Sequence, residues 1–164
     1  MQTWLGVILI HDCYSGKRIE ITTFSKNAVA PNIKPDCSEA SFLSDFENEC
    51  NSCNYVVHFN INSLLSPGKL DQLKDYCKIL KVDVLIITES KLDQTIPTNL
   101  ITIPGYHEQM RQDREVNGRF GGGVLMYIAE NLVFEHKQNL QNSNFEHIWA
   151  DVKINGIIYS VNAS

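Results

Sequence analysis

The clearest alternation of apolar and polar positions begins at residue 55. Residues 55–61 alternate between the two classes, which is typical of a β-strand. One face of this strand consists of Val57, Phe59 and Ile61. Residues 69–80 repeat apolar positions every three or four residues, which predicts an amphipathic helix. Its stripe consists of Leu70, Leu73, Cys77 and Leu80. The nearly continuous apolar run Val82–Thr88 then predicts a strand buried on both faces.

This order of strand, helix and strand predicts a right-handed βαβ unit with two parallel strands. Further along, the apolar run Val124–Ile128 predicts another strand, and Glu146–Ile154 alternates as a half-buried strand does. Asn155 and Gly156 separate that pattern from Ile157–Val161, and both residue types tolerate the positive φ that a tight hairpin needs. The sequence therefore predicts an α/β fold with a mixed sheet.

The first 54 residues are of a different kind. An apolar run at Trp4–Ile10 precedes a short strand pattern at Ile19–Thr23. Asp36–Glu49 then holds five acidic residues and no basic one, which indicates a linker or a marginal helix. We therefore divide the chain into residues 1–54, a divergent leader or linker of unknown role, and residues 55–164, which form the domain.

Composition narrows the class of protein. The chain has 164 residues, of which 43% are hydrophobic and 20% charged, as in a soluble globular protein. Its formal charge of −5 provides no general basic field for nucleic acid, so such contact requires a local patch or a bound metal cation. No apolar run is long enough for a bilayer, and no signal peptide is recognisable. These features predict an intracellular protein without a membrane partner.

The cysteines favour no metal site. Their count of five is odd, and without a secretory signal reduced thiols are expected. Cys50 and Cys53 form a single CxxC, whereas a structural zinc site needs four ligands. Cys37 and His58 do not complete it at any known spacing, so two incidental loop thiols are the better interpretation.

Polar residues follow both predicted parallel strands. The first strand runs into Asn60–Ser63 and the second into Thr88–Ser90. Parallel neighbours end at the same sheet edge, where ligands bind, so we expect Asn60 and Glu89 to lie close together. A carboxylate and a carboxamide are oxygen ligands that suit Mg²⁺. On spacing alone, a solvated strand end remains the plainer interpretation.

Five blocks in order resemble one family over roughly residues 55–162. They are HFNINSL (His58–Leu64), the leucine-rich helix, VDVLIITESKLD (Val82–Asp93), GYHEQMRQDREVNGRFGGGVLMYI (Gly105–Ile128) and FEHIWADV (Phe145–Val152). The family is the endonuclease domain of non-LTR (LINE-type) retrotransposons, within the endonuclease/exonuclease/phosphatase superfamily. No single block is specific, but their order is.

The resemblance implies a four-layer α/β sandwich, in which two mixed β-sheets pack face to face with helices outside. It also implies magnesium-dependent hydrolysis of DNA phosphodiesters, with manganese as a substitute, and a nuclear location. The metal-binding Glu of the family falls on Glu89, and its first catalytic Asn, assigned also to the metal site, falls on Asn60. Asn62 matches a position that lines the site and is a weaker candidate for contact with DNA.

Other polar residues receive mainly structural roles. The Gly121–Gly123 run leads into a strand and not a helix, so it favours close packing over a phosphate cradle. The loop before it is basic, and Arg119 is its candidate for contact with the DNA backbone. The basic side chains of this loop are Arg111, Arg114 and Arg119. Structural or solvated roles are expected for His58, His107 and Trp149.

Later motifs of the family have no counterpart here. The block that opens with Asn-x-Tyr begins at Asn162, but Ser164 stands in the Tyr position. An Asp-x-Asn pair and a terminal His are missing, so the chain is expected to be the N-terminal half of the family fold, C-terminally truncated and inactive as it stands. The alternative is a non-catalytic remnant or interaction module that keeps only the scaffold. The oligomeric state is not predicted.

Overall fold

The computed structural model describes residues 55–116, 119–140 and 146–164. The features predicted for residues 1–54, including the short strand, the acidic linker and the Cys50–Cys53 pair, lie outside these described residues. The proposed boundary between residues 54 and 55 therefore stays a prediction. No helix in the described ranges is long and apolar enough to cross a membrane.

The described residues begin with a strand, an α-helix and a second strand. The later elements are strands and two short 3₁₀ helices. The α-helix is α1 (Lys69–Leu80), and short 3₁₀ helices cover Thr98–Ile101 and Gln138–Leu140. The strands are β1 (Val56–Asn60), β2 (Val84–Thr88), β3 (Met110–Gln112), β4 (Glu115–Val116), β5 (Arg119–Phe120), β6 (Val124–Ile128), β7 (Val133–His136), β8 (Ile148–Ile154) and β9 (Ile157–Ala163).

The first sheet mixes parallel and antiparallel strands in the order β1-β2-β6-β3. β1 and β2 are parallel, with a register that runs from Val56 opposite Val84 to Asn60 opposite Thr88. β2 and β3 both pair with β6 in the antiparallel sense. Because α1 joins the two parallel strands and covers residues 69–80, the predicted βαβ unit is confirmed.

One apolar core lies between α1 and the first sheet. Leu73 and Cys77 of the helix are buried in the same cluster as Leu85 and Ile87 of β2. The ends of the helical stripe, Leu70 and Leu80, are only partly buried and pack against this cluster. The predicted stripe therefore faces the sheet, and burial of such side chains contributes about 1.5–3 kcal/mol each.

The second sheet packs on the other face of the first. It is antiparallel, with the order β7-β8-β9. The inward side chains of β8 are those predicted by its alternation, namely Ile148, Ala150, Val152 and Ile154. They share the second apolar core with Val84 and Ile86 of β2. The hairpin between β8 and β9 turns at Asn155 (φ 50°) and Gly156 (φ 84°), as predicted.

The described residues thus form three stacked layers, which are α1, the first sheet and the second sheet. This arrangement confirms the predicted α/β class and a partial sandwich of two facing sheets. The second sheet is antiparallel and not mixed as expected, and α1 is the one α-helix in the described part of the chain, so the fourth layer is not seen there. The outer face of the second sheet is polar at its centre, where Lys137 forms ion pairs with Glu135 (2.8 Å) and Asp151 (3.0 Å). Val133 and Ile158 lie exposed near its end, at 71% and 66%.

Candidate metal and phosphate site

The carboxyl ends of β1 and β2 lie side by side, as predicted. Their parallel pairing continues past the strands, since Ile61 N–H donates to Thr88 O (3.0 Å) and Ser63 N–H to Glu89 O (2.7 Å). These backbone bonds hold Asn60–Ser63 against Thr88–Ser90. The two predicted groups of polar residues therefore share one edge of the first sheet.

Asn60 belongs to the face of β1 that looks toward the second sheet. Side chains alternate along a strand, so His58 and Asn60 lie opposite the face that Val57 and Phe59 present to α1. His58 Nε2 lies 2.9 Å from Oγ1 of Thr88, and burial holds the pKa of His58 below its ordinary value. His58 is thus an internally hydrogen-bonded histidine, in agreement with its expected structural role.

The backbone at this edge is unusual. Of the six described non-glycine residues with positive φ, four lie here. These four are Asn62 (46°), Ser63 (80°), Glu89 (55°) and Lys91 (52°). Such left-handed backbone costs about 1–3 kcal/mol per residue and clusters at functional sites. The local geometry therefore marks this edge as a candidate site, independently of which side chains it carries.

Asn62 is exposed and is held by lysines. Its side-chain Oδ1 accepts a hydrogen bond from Lys91 Nζ (2.5 Å), and its carbonyl accepts one from Lys69 Nζ (2.7 Å). Lys69 also donates to the carbonyl of Ile61 (2.5 Å). Two ammonium groups therefore lie beside the residue that the resemblance assigns to DNA contact, and they supply the positive charge that a phosphate requires.

Two carboxylates meet the glycine run at the same edge. Gly122 N–H donates to Oε2 of Glu89 (3.2 Å), and Gly123 N–H donates to Oε2 of Glu146 (2.6 Å). Both glycines have positive φ, at 76° and 83°. A Cβ on Gly122 would collide with the Glu146 carboxylate, and one on Gly123 would lie 2.6 Å from Ser90 Oγ. The predicted close packing at these glycines is confirmed.

Glu146 was not predicted as part of this edge. In the sequence it only begins the alternating pattern of β8, and it lies 23 positions after Gly123. No spacing rule connects the two, because their contact depends on how the second sheet packs over the first. Arg114 Nε pairs with Oε1 of Glu146 at 3.0 Å, so the carboxylate is neutralised from its other side.

The three arginines predicted to lie in one basic loop are distributed differently, since Arg111 belongs to β3 and Arg119 to β5. They are only partly available for a ligand. Arg111 Nε donates to Asp113 Oδ1 (2.7 Å), and its other nitrogens reach the carbonyls of Ile96 (2.8 Å) and Asp93. Arg111 is therefore a structural clamp. Arg114 is half exposed beside Glu146. Arg119 lies on β5, but its side chain is outside the described part, so its DNA contact stays a prediction.

The donors present are suitable for Mg²⁺ but incomplete. Among the described residues, no group of three or more His, Cys, Asp or Glu side chains could hold a metal ion. Mg²⁺ commonly takes only one or two carboxylates, with water and substrate phosphate as its other ligands. Glu89 offers one carboxylate and Asn60 a carboxamide at the end of the neighbouring strand, and their role as metal ligands stays a prediction.

The opposite edge of the sheet contains a cavity of about 570 Å³. It lies where α1 ends, between Lys81, Cys77 and the Gly105–Tyr106 turn. Tyr106 donates its hydroxyl hydrogen bond to Val82 O (2.5 Å), and burial raises the pKa of Cys77 to about 11. This cavity holds none of the predicted site residues.

Comparison with known proteins gives structural likeness only. No family model matches the chain, and no curated protein matches it. A 3′ phosphatase, NExo from Neisseria bound to a product DNA hairpin, is similar over 64% of this chain and 39% of its own, with 18% identity and a TM-score of 0.41. An AP endonuclease from Archaeoglobus fulgidus is similar over 64% and 38%, with 21% identity and a TM-score of 0.39.

The chain therefore spans less than two fifths of the length of either neighbour. Since both TM-scores are below 0.5, the α/β assignment rests on the described strands and helix themselves.

Proposed function

We propose that residues 55–164 are part of a magnesium-dependent DNA endonuclease of the endonuclease/exonuclease/phosphatase superfamily, of the non-LTR retrotransposon type, which acts in the nucleus. The observation that carries the proposal is the edge at which β1 and β2 end together, with Asn60 and Glu89 on neighbouring strands. The ordered sequence blocks supply the family, and the left-handed backbone of this edge supports a functional role.

In this proposal each residue has a separate task. Glu89 holds the metal through its carboxylate, whose Oε2 already accepts the Gly122 N–H. Asn60 orients the scissile phosphate by hydrogen bonds, and Lys91 and Lys69 place positive charge beside the DNA backbone at Asn62. When bound, Mg²⁺ polarises the phosphoryl oxygen and stabilises the charge on the leaving oxygen.

We further propose that residues 1–164 alone bind DNA without cleaving it. General acid–base assistance is worth about 10²–10⁴-fold, and the family's His and Asp for this role have no counterpart in the sequence. Catalytic groups also act as a unit, so Glu89 cannot contribute its share independently.

A supercoiled-plasmid assay and duplex binding with and without Mg²⁺ test these two statements. We expect weak binding that needs Mg²⁺ and is lost in Glu89→Ala, together with nicking no faster than the background of that variant. Glu130→Ala removes an exposed acid from the opposite edge and should change neither result. If the parent nicks DNA robustly and Glu89→Ala does not, the proposal that residues 1–164 are inactive is wrong. DNA binding that changes neither with Mg²⁺ nor in Glu89→Ala would contradict the assignment of the metal site.

The second candidate is an interaction module that keeps the scaffold without metal chemistry. The exposed Val133 and Ile158 favour it, because both flank Lys153 on the outer face of the second sheet and leave apolar surface accessible. Its distinguishing result is Mg²⁺-independent binding of a protein partner that is lost in Ile158→Ser and retained in Glu89→Ala.

A further inference from the structure

Glu146 has no task in the proposed function, yet the glycine that donates to it is the neighbour of the glycine that donates to Glu89. Gly122 N–H donates to Glu89 and Gly123 N–H donates to Glu146, at 3.2 and 2.6 Å. Glu89 follows β2 of the first sheet, whereas Glu146 precedes β8 of the second. Because the two amides are consecutive, one short turn (Gly122–Gly123, the diglycine turn) joins carboxylates from both sheets.

The diglycine turn is also tied to the segment that carries Glu89. Ser90 N–H donates to Gly123 O (3.1 Å), and Lys91 N–H donates to Gly122 O (2.8 Å). Together with the bond from Gly122 N–H to Glu89, these contacts make the Glu89 segment and the turn a single hydrogen-bonded unit. The bond from Gly123 to Glu146 attaches this unit to the second sheet.

The two carboxylates differ in what they leave available. Both oxygens of Glu146 are engaged, since Oε1 pairs with Arg114 Nε (3.0 Å) and Oε2 accepts the Gly123 N–H. Glu89 accepts through Oε2, and its Oε1 accepts no hydrogen bond from the described residues. Glu89 therefore retains an oxygen for a ligand, whereas Glu146 is suited to hold other groups in place.

We propose that Glu146 is a positioning residue that fixes the direction of the Glu89 carboxylate through the diglycine turn. The inference rests on the proposed function, in which Glu89 holds the metal. Hydrogen-bonded partners behind a metal ligand typically change metal affinity 10–100-fold when they are removed. This arrangement requires glycine at position 122, because a methyl group there would displace the Glu146 carboxylate.

The first test measures Mn²⁺ affinity of residues 1–164 from the paramagnetic broadening of backbone amides around Glu89. Glu146→Ala should weaken Mn²⁺ binding about 10-fold, the lower end of the range for direct partners of a ligand, because Glu146 acts through the diglycine turn. Glu146→Gln should restore most of the affinity, because its amide oxygen can still accept the Gly123 N–H. In a Glu89→Ala background, Glu146→Ala should add no further loss, as expected of residues that act through one another. Glu130→Ala is the matched control.

A second measurement uses the metal-free protein. Glu146→Ala should accelerate hydrogen exchange at Gly122 and shift its amide signal, although Gly122 itself bonds to Glu89. Gly122→Ala should produce the same loss of Mn²⁺ affinity by displacing Glu146. This variant replaces Glu146→Ala in the experiment if Glu146→Ala does not fold.

Several outcomes would overturn the positioning role. One is a Gly122 amide whose exchange rate and signal do not change in Glu146→Ala, and another is an unchanged Mn²⁺ affinity in that variant. The third is a Glu146→Gln variant that binds Mn²⁺ as weakly as Glu146→Ala, because the negative charge of Glu146 and not its hydrogen bond would then matter. If the parent shows no broadening at Glu89, the proposed function fails, and the Gly122 amide then decides the positioning role by itself.

Discussion

The first sheet has a cavity at the edge where α1 ends and the candidate site at the opposite edge, where β1 and β2 end. The edge at the end of α1 has a cavity of about 570 Å³, and Lys81, which ends the helix, is its one described non-glycine residue with positive φ. The edge at Glu89 gathers four such residues, two carboxylates and two tightly packed glycines. Strained backbone and convergent polar groups, and not a cavity by itself, mark the Glu89 edge as the candidate site.

The ionisable groups of the two edges differ in how they are arranged. At the cavity edge, Cys77 and Tyr106 are buried, and burial raises the pKa of both side chains, so they stay neutral and inert at physiological pH. At the other edge, Glu89 and Lys91 remain accessible to solvent. Exposed charges also line the cavity, among them Lys78 and Lys81, so the Glu89 edge differs in that two carboxylates converge there on one glycine turn.

The largest expected effect concerns the core that both edges share. Leu73→Ala should lower the free energy of unfolding by about 2–5 kcal/mol, because Leu73 is buried between α1 and the sheet. Ile79→Ala, on the exposed side of the same helix at 44%, should stay within about 0.5 kcal/mol. Urea denaturation measures both. A loss below about 0.5 kcal/mol in Leu73→Ala would show that the helix does not cover the sheet.

A glycine pair compares the two edges directly. Gly105 and Gly123 have nearly the same positive φ (85° and 83°), so an alanine at either would adopt an unfavourable φ. Space is open around a Cβ at Gly105, whereas at Gly123 the Cβ would lie 2.6 Å from the buried Ser90 Oγ. Gly123→Ala should therefore destabilise by about 1–3 kcal/mol more than Gly105→Ala. Thermal unfolding of both variants gives the difference, and equal losses would contradict the tight packing.

The smallest expected effect is a pH dependence at His58. Burial lowers its pKa below 6.5 in the folded protein, so the unfolded chain takes up the proton first as pH falls through 6.5. The free energy of unfolding should therefore decline between pH 7 and pH 5 through this residue. His58→Gln should remove that part of the slope in urea denaturation, and an identical slope in parent and variant would contradict the assigned burial.

The local features of the fold were accessible from the sequence. Helical periodicity predicted residues 69–80, which are the bounds of α1, and period-two alternation predicted the inward side chains of β8. The turn at Asn155 and Gly156 followed from the φ values that these residue types tolerate. Each of these depends on neighbours within a few residues, which is the range over which sequence patterns carry information.

The contacts in the candidate site join residues that are far apart in the sequence. The placement of the Asn60 and Glu89 segments at one edge was predictable, because parallel strands end at the same edge of a sheet. Glu146 was not, since its contact with Gly123 requires the packing of two sheets. The engagement of Arg111 by backbone carbonyls was also hidden, because a basic loop looks the same in sequence whether its charges are free or paired. The roles of Asn60, Glu89, Asn62 and Arg119 remain predictions.

The most direct test of the central statement, that the Glu89 edge is the metal site, maps Mn²⁺ broadening across the amides of residues 1–164. The account predicts broadening centred on Glu89 and Asn60, which disappears in Glu89→Ala and persists in Glu130→Ala. Weak affinity is expected, because one carboxylate forms a poor site without substrate phosphate. Broadening centred on the cavity at Lys81 and Tyr106, or within the acidic residues 36–49, would contradict the account.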